Sequence, residues 1–76
     1  MINVALFGFG RIGQMHAENL NKHKEVKILY VYEKLSHLNK KAKKLYNCII
    51  ENNYNKIFSD KNVDIVFISS PTNTHI

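Results

Sequence analysis

The sequence predicts an α/β fold built on an open, doubly wound parallel sheet. Three features of its 76 residues lead to this expectation: short apolar runs, segments of helical spacing that alternate with them, and a glycine cluster at the end of the first run. Strands that alternate with helices pair in parallel through right-handed crossovers. The order β-α-β-α-β-α-β is that of the first half of a six-stranded doubly wound domain, which predicts the strand order 3-2-1-4.

Four strands are expected. Ile2–Phe7 and Val26–Tyr32 are almost continuously apolar, as strands buried on both faces of a sheet are. Residues 48–50 form a short third strand, and residues 63–69 (VDIVFIS) are the clearest buried strand of the chain. In the order 3-2-1-4 this last strand lies at an edge that a fifth strand would cover, so residues 1–76 alone are expected to be only marginally stable.

Two helices and one helical turn connect these strands. The first helix is expected to bury the stripe Ile12, Met15, His16, Asn19 and Leu20. The second is expected to bury the stripe Leu35, Leu38, Ala42, Leu45 and Tyr46, with its lysines facing out. Ser36 and Asn47 are candidates to cap the start and the end of the second helix. Residues 52–60 fit only one short helical turn.

Composition narrows the class of protein. The chain is 45% apolar and 22% charged, which is the balance of a globular protein. No apolar run approaches the ~18 residues of a membrane-spanning helix, and the strand at residue 2 leaves no room for a secretory leader. The single cysteine, Cys48, makes no internal disulfide, so we expect a cytoplasmic protein with no membrane partner. His23, His37 and Cys48 lack metal-ligand spacing, so no metal is expected.

The net charge of +5 brings nucleic acid into consideration as a partner. The tightest lysine cluster, within residues 40–44, is explained more simply as the solvated face of a helix. No nucleic-acid recognition motif accompanies it, so no nucleic-acid partner is expected.

The functional signal of the sequence is the glycine pattern G-x-G-x-x-G at residues 8–13. It follows a strand and opens a helix, the context in which this pattern binds the pyrophosphate of a dinucleotide. Gly8 permits the tight turn, Gly10 lets a phosphate approach the backbone, and Gly13 lets helix and strand pack closely. The helix start adds unpaired N–H groups and partial positive charge. The plainer alternative is a turn without a ligand.

Glu33 is the candidate acid of this cofactor site. It follows Gly13 by 20 residues, at the end of the second strand, where an acid accepts hydrogen bonds from the adenosine ribose. A carboxylate there repels a 2′-phosphate by about 1 kcal/mol at 4 Å in water, so NAD is expected rather than NADP. Lys34 favours NADP instead, because a lysine at this position is able to reach a 2′-phosphate. The simpler alternative makes Glu33 a solvated residue at a strand end.

Two segments resemble a known family. Residues 4–20 (VALFGFGRIGQMHAENL) resemble the opening of the glucose–fructose oxidoreductase / inositol dehydrogenase / MocA (Gfo/Idh/MocA) family. Within it they are most similar to inositol 2-dehydrogenases, whose first helix commonly reads G-R-I-G-x-x-H-A-x-N-L. Residues 62–75 (NVDIVFISSPTNTH) resemble the family's fourth strand and its P-T-x-x-H loop. The resemblance covers nearly the whole chain but only the first part of the family's NAD-binding Rossmann domain.

The resemblance implies roles for particular residues. The phosphate-binding turn is matched by Phe9, Gly10, Arg11 and Ile12, and Glu33 falls on an acid that is most often aspartate in the family. The loop near the nicotinamide half of the cofactor is matched by Ser70, Pro71, Thr72, Asn73 and His75. An equally good alternative makes His75 a polar residue in the first turn of a helix. His16 matches a helix histidine that we expect to be a hydrogen-bonded packing residue rather than a catalyst.

By this resemblance the chain is the cofactor-binding fragment of an NAD-dependent oxidoreductase. The full-length enzyme would act on a CH–OH group of a polyol or sugar and would be a homo-oligomer. The family's Glu-Lys-Pro motif and its substrate domain lie beyond Ile76, so none of the 76 residues is expected to be an acid–base catalyst and the fragment alone is expected to be inactive. The alternative is a non-catalytic dinucleotide-binding module or the product of a truncated gene.

Overall fold

A parallel sheet of four strands is the frame of the chain in the computed structural model, which describes residues 1–69. The strands are β1 (Ile2–Phe7), β2 (Val26–Tyr32), β3 (Ile49–Ile50) and β4 (Ile65–Ile68). They are connected by the helices α1 (Arg11–Asn21), α2 (Ser36–Tyr46) and α3 (Tyr54–Phe58). The order in the sheet is β3-β2-β1-β4, with all pairs parallel. Both the doubly wound α/β class and the strand order 3-2-1-4 are therefore confirmed.

The two faces of the sheet carry separate cores. On one face Leu6 packs with Ala17 of α1 and Ala42 of α2. On the other face Ala5 packs with Ile57 of α3. Successive residues of a strand point to opposite faces, so β1 contributes to both cores. This explains why the two central strands are nearly continuous apolar runs.

The buried face of α1 differs from the expected stripe. Ile12 is 54% exposed and Met15 is 52% exposed, whereas Gly13 and Ala17 are buried. Small residues face the sheet because helix and strand approach each other too closely for a large side chain, a relation that the spacing of apolar residues does not reveal. The stripe expected for α2 is also only partly buried: Ala42 is inside, and the exposed members are Leu35 and Leu45.

The ends of α2 are held in two different ways. Asn47 ends the helix in the left-handed conformation with φ of 53°, and its N–H donates to the carbonyl oxygen of Lys43, so its capping role is confirmed. The expectation for Ser36 is wrong, because Ser36 is the first helical residue and the N-cap position falls on Leu35. The backbone N–H of Leu35 donates a hydrogen bond to the carboxylate of Glu33. In the part of the chain that the structure describes, each helix is too short or too polar to cross a lipid bilayer.

β4 is shorter and more exposed than the strand expected over residues 63–69. Ile65 is 43% exposed and Ile68 is 72% exposed. β4 pairs with β1 alone, and within residues 1–69 its other side has no neighbouring strand. The run expected to be the clearest buried strand is thus a strand that is only partly buried, and its predicted place at the sheet edge is confirmed.

A side-chain hydrogen bond joins β2 to the loop before β4. The Tyr30 hydroxyl donates to Oδ2 of Asp60 at 2.5 Å, and the backbone N–H of Asn62 donates to Oδ1 of Asp60 at 2.8 Å. These bonds, that from Tyr30 foremost, favour the ionised carboxylate and lower the pKa of Asp60 below its usual 3.8. The same bond raises the pKa of Tyr30. The loop is thus fastened to the sheet by a bond that depends on the charge of Asp60.

We expect Tyr30→Phe to destabilise the fold near neutral pH and to lose this effect in acid. A carboxylate with a depressed folded-state pKa stabilises the fold above its unfolded pKa, and the contribution is lost as the pH falls through the folded pKa. The difference in Tm between wild type and variant should therefore be present at about pH 6 and shrink below about pH 4. Tyr46→Phe is the control, since the hydroxyl of Tyr46 makes no hydrogen bond within residues 1–69. A Tm difference that does not change with pH would contradict this account.

The exposed edge of β4 predicts self-association of the chain. Unpaired backbone groups beside apolar side chains are a template for strand pairing. Ile68→Lys should therefore lower the self-associated fraction measured by sedimentation velocity over a range of concentrations. Leu45→Lys, at a residue of α2 that is 55% exposed, should leave this fraction unchanged. A wild-type chain that stays monomeric at every concentration would refute the prediction.

Candidate functional site

Three glycines shape the turn between β1 and α1. Gly8 has a φ of 103°, which residues with a side chain rarely adopt, and its N–H donates to the carbonyl oxygen of Tyr32 at 2.8 Å. A Cβ on Gly13 would lie 2.2 Å from the carbonyl oxygen of Gly8, so α1 meets the end of β1 at a distance that only glycine allows. Within residues 1–69, a Cβ on Gly10 would meet no atom within 4 Å. The structural roles predicted for Gly8 and Gly13 are confirmed, and Gly10 borders open space.

The first turn of α1 presents unpaired backbone donors. Its first helical hydrogen bond runs from the N–H of Gln14 to the carbonyl oxygen of Gly10 at 2.8 Å. Within residues 1–69 no acceptor lies in reach of the three preceding N–H groups, those of Arg11, Ile12 and Gly13, and no side chain caps the helix. Unpaired N–H groups and the helix dipole together attract an anion. The open space at Gly10 therefore adjoins a helix end that favours a phosphate.

Glu33 lies directly after β2, and its carboxylate bridges two loops. Oε1 accepts a hydrogen bond from the N–H of Phe9 in the glycine turn at 2.7 Å, and Oε2 accepts one from the N–H of Leu35 at 3.0 Å. An ionised carboxylate has about four acceptor positions, so each oxygen can accept a further bond. The half-buried acid thus stands beside the turn with capacity for two more donors, which fits the two hydroxyls of a ribose.

Three side chains outside the sequence-predicted set support the turn and the acid. Each donates to a backbone carbonyl oxygen of the site: Gln14 to Phe9 at 3.1 Å, Asn39 to Glu33 at 2.8 Å, and Ser69 to Gly8 at 3.1 Å. Ser69 and Gly8 are 61 residues apart and meet only in the fold, whereas Gln14 and Asn39 bond to carbonyl oxygens five and six residues before them. No sequence motif marks these three contacts. Only the place of Ser69 at the carboxyl end of a strand is a signal that the sequence contains.

The other predicted site residues differ in what they offer. The ring of Phe9 is fully buried and packs edge-on against Tyr46, with centroids 6.2 Å apart, so only its backbone belongs to the turn. Arg11 lines a groove of about 420 Å³ between α1 and α2. Lys34 is exposed beside the acid. The loop residues of the prediction lie outside the described residues: Ser70, Pro71, Thr72, Asn73 and His75.

His16 is a packing residue, as expected. It is half-buried, and its ring stacks on Phe67 with centroids 5.8 Å apart and planes 27° apart. The hydrogen bond expected for it is not present among residues 1–69. Over the same residues no group of three His, Cys, Asp or Glu side chains is placed to hold a metal ion. Cys48 is buried, and burial raises the pKa of its thiol.

A family model decides what kind of domain this is. Residues 2–76 match the model of the GFO_IDH_MocA oxidoreductase family, which is described as an NAD-binding Rossmann fold. The chain belongs to this family. The resemblance seen in the sequence is thereby confirmed, and the chain is part of an NAD(P)-binding oxidoreductase domain.

Solved structures share this fold. Myo-inositol 2-dehydrogenase from Lactobacillus plantarum matches 97% of the chain with a TM-score of 0.82 and 32% identity. Scyllo-inositol dehydrogenase from Lactobacillus casei, solved with NAD(H) and scyllo-inositol, matches 99% of the chain with a TM-score of 0.83 and 26% identity. Biliverdin reductase from Synechocystis sp. PCC 6803, solved with biliverdin and NADP+, matches 91% with a TM-score of 0.82 and 16% identity, a likeness of fold alone. The chain spans 22%, 23% and 22% of these three proteins. A search of curated proteins found no significant match.

We expect the glycines of the turn to respond very differently to a single methyl group. Gly13→Ala places its Cβ against a backbone oxygen that cannot move cheaply, so it should lower the free energy of unfolding by about 2 kcal/mol or more. Gly10→Ala, the matched control, adds its methyl group to open space and should change the free energy of unfolding by less than about 0.5 kcal/mol. Urea unfolding of the two variants measures both values. Equal costs would mean that α1 and β1 do not meet at Gly13.

Proposed function

We propose that residues 1–76 form the first part of the cofactor-binding domain of an NAD-dependent oxidoreductase that acts on a CH–OH group of a polyol or sugar. The cofactor assignment depends chiefly on one contact, the 2.7 Å hydrogen bond from the N–H of Phe9 to the carboxylate of Glu33, which places the acid beside the helix start. The substrate class is supported by the similarity to the two inositol dehydrogenases. The full-length enzyme would carry a separate substrate domain and would be a homo-oligomer.

In this proposal the residues of the chain bind and orient the dinucleotide. The N–H groups at the start of α1 hold the pyrophosphate, Gly10 leaves room for it, and Glu33 accepts hydrogen bonds from the ribose hydroxyls. The bound nicotinamide supplies the redox chemistry as a hydride acceptor or donor. The nicotinamide half is assigned to the loop that contains Ser70, Pro71, Thr72, Asn73 and His75. No side chain of the chain is assigned the role of acid–base catalyst.

The alternative function is a non-catalytic dinucleotide-binding module or the product of a truncated gene. The chain spans only about a fifth of the length of these structural relatives, so the activity of a whole enzyme is a proposal here. The reading frame beyond codon 76 separates the two proposals, since a frame that continues through Glu-Lys-Pro supports the enzyme and an immediate stop supports the module. Under both, residues 1–76 alone should not reduce NAD in the presence of inositol or simple sugars.

We expect Gly10→Val to weaken dinucleotide binding without unfolding the chain. The added side chain occupies the space proposed for the pyrophosphate, and no atom of the described residues lies within 4 Å of its Cβ. The Kd for NAD, measured by isothermal titration calorimetry, should rise by about tenfold or more, which corresponds to about 1.4 kcal/mol. Met15→Val, on the exposed side of α1, is the control and should bind as the wild type does. Unchanged affinity in Gly10→Val would refute the proposed site.

We also expect NAD to bind more tightly than NADP. Repulsion of about 1 kcal/mol between the Glu33 carboxylate and a 2′-phosphate corresponds to a preference of about fivefold. Glu33→Gln removes the charge and should bring the two Kd values together, whereas Lys34→Ala should leave the preference for NAD in place. Competition binding with both dinucleotides measures the ratio. A preference of the wild type for NADP would mean that Lys34 outweighs Glu33.

A further inference from the structure

We propose that Asn39 is a positioning residue, whose side-chain amide orients Glu33 and thereby determines the selectivity of the site for NAD over NADP. The inference rests on the proposed function of Glu33 as the acceptor for the ribose. Asn39 lies one turn into α2, and nothing in its local sequence suggests a link to the glycine turn.

The contacts of Asn39 hold the short segment that leads from β2 into α2. Its Nδ2 donates to the backbone carbonyl oxygen of Glu33 at 2.8 Å, and its backbone N–H donates to the carbonyl oxygen of Leu35 at 3.1 Å. The N–H of Leu35 in turn donates to the Glu33 carboxylate at 3.0 Å. Residues 33–35 belong to neither a strand nor a helix. The orientation of Glu33 at the end of β2 therefore depends on these hydrogen bonds. The bond from Asn39 is the one that holds the backbone carbonyl group of Glu33.

The side-chain oxygen of Asn39 shows that an asparagine at this position lowers the stability of the fold. Oδ1 of Asn39 is buried and has no hydrogen-bond partner among the described residues. An unpaired buried acceptor costs about 1–3 kcal/mol, and alanine is the better helix former. Packing alone would be served better by an apolar residue. The donor Nδ2 is the part of the side chain that offsets this cost, and its acceptor is the backbone of the proposed ribose acid.

Orientation of Glu33 affects the two dinucleotides in opposite directions. A carboxylate held toward the glycine turn accepts hydrogen bonds from the ribose of NAD and repels the 2′-phosphate of NADP. Charge repulsion falls with distance. A carboxylate that moves away from the turn therefore loses hydrogen bonds from the ribose of NAD and repels the 2′-phosphate of NADP less. Loss of the Asn39 bond should therefore lower the ratio of NAD to NADP affinity rather than lower both affinities alike.

Asn39→Ala tests this role in the full 76-residue chain. The variant removes the donor together with the unpaired oxygen and favours the helix, so it should remain folded. Asn39→Leu, which is close in size and has no polar side-chain atom, is the second variant, and His37→Ala, at an exposed residue of the same helix, is the control. Kd values for NAD and NADP are measured by isothermal titration calorimetry. We expect both Asn39 variants to lower the affinity ratio by at least about twofold and His37→Ala to leave it unchanged.

A double variant and a cofactor-free measurement separate positioning from general destabilisation. Asn39→Ala should change the ratio little when Glu33→Gln is already present, because the two residues act through one carboxylate. Without any dinucleotide, amide hydrogen exchange at Phe9 and Leu35 should be faster in Asn39→Ala than in His37→Ala, since both amides donate to Glu33.

The outcomes distinguish failure of this role from failure of the proposed function. An unchanged ratio in a chain that binds NAD, or unchanged exchange at both amides, overturns the role of Asn39. Parallel losses of affinity for both dinucleotides also overturn it, because they indicate a merely structural residue. A wild-type chain that binds neither dinucleotide overturns the proposed function instead, and faster exchange in Asn39→Ala then still supports the orientation of Glu33 by Asn39.

Discussion

The close approach of α1 to the end of β1 is the constraint on which the site depends. A Cβ on Gly13 would lie 2.2 Å from the carbonyl oxygen of Gly8, and Ala17 continues the contact one turn later with a small, fully buried side chain. The helix therefore begins directly at the carboxyl end of the sheet, with its unpaired N–H groups beside the turn. The same approach explains why Ile12 and Met15 remain exposed, since large side chains cannot enter so narrow a contact.

The glycine turn is held in place by contacts within the protein itself. Both backbone polar groups of Phe9 are hydrogen-bonded. Its N–H donates to the Glu33 carboxylate, and its carbonyl oxygen accepts from the side-chain amide of Gln14. Its ring is buried against Tyr46. A loop that is already ordered loses little conformational entropy on binding, so more of the interaction energy remains as affinity. The acid belongs to the same network, which couples its orientation to that of the turn.

The two faces of the sheet are covered to different degrees. The face with α1 and α2 holds the larger core and supports the site. The other face is covered by the five residues of α3. Aromatic rings stack on this face: the ring centroid of Phe7 lies 5.0 Å from that of Tyr32 and 5.4 Å from that of Phe58, and Phe58 is 58% exposed. Among residues 1–69, most of the buried core side chains therefore lie on the face with α1 and α2.

The sequence was sufficient for the features that depend on local chain geometry and on hydrophobic period. The bounds of β1 and β2, the sheet order and the roles of Gly8 and Gly13 were all predictable, because alternating elements force one topology and a G-x-G-x-x-G turn has few backbone solutions. The family also followed from two segments of the sequence, and the match over residues 2–76 confirms it.

Tertiary structure decided the features that depend on distances between elements. The N–H of Phe9 donates to the Glu33 carboxylate 24 residues away, a contact that arises only once the end of β1 and the end of β2 lie side by side. The apolar run of β4 is exposed because it lies at the edge of the sheet, a place that follows from the predicted strand order but not from the hydrophobicity of the run itself. A sequence pattern records which residues are apolar and how often they recur, whereas a contact between distant residues depends on how closely the packed elements approach each other.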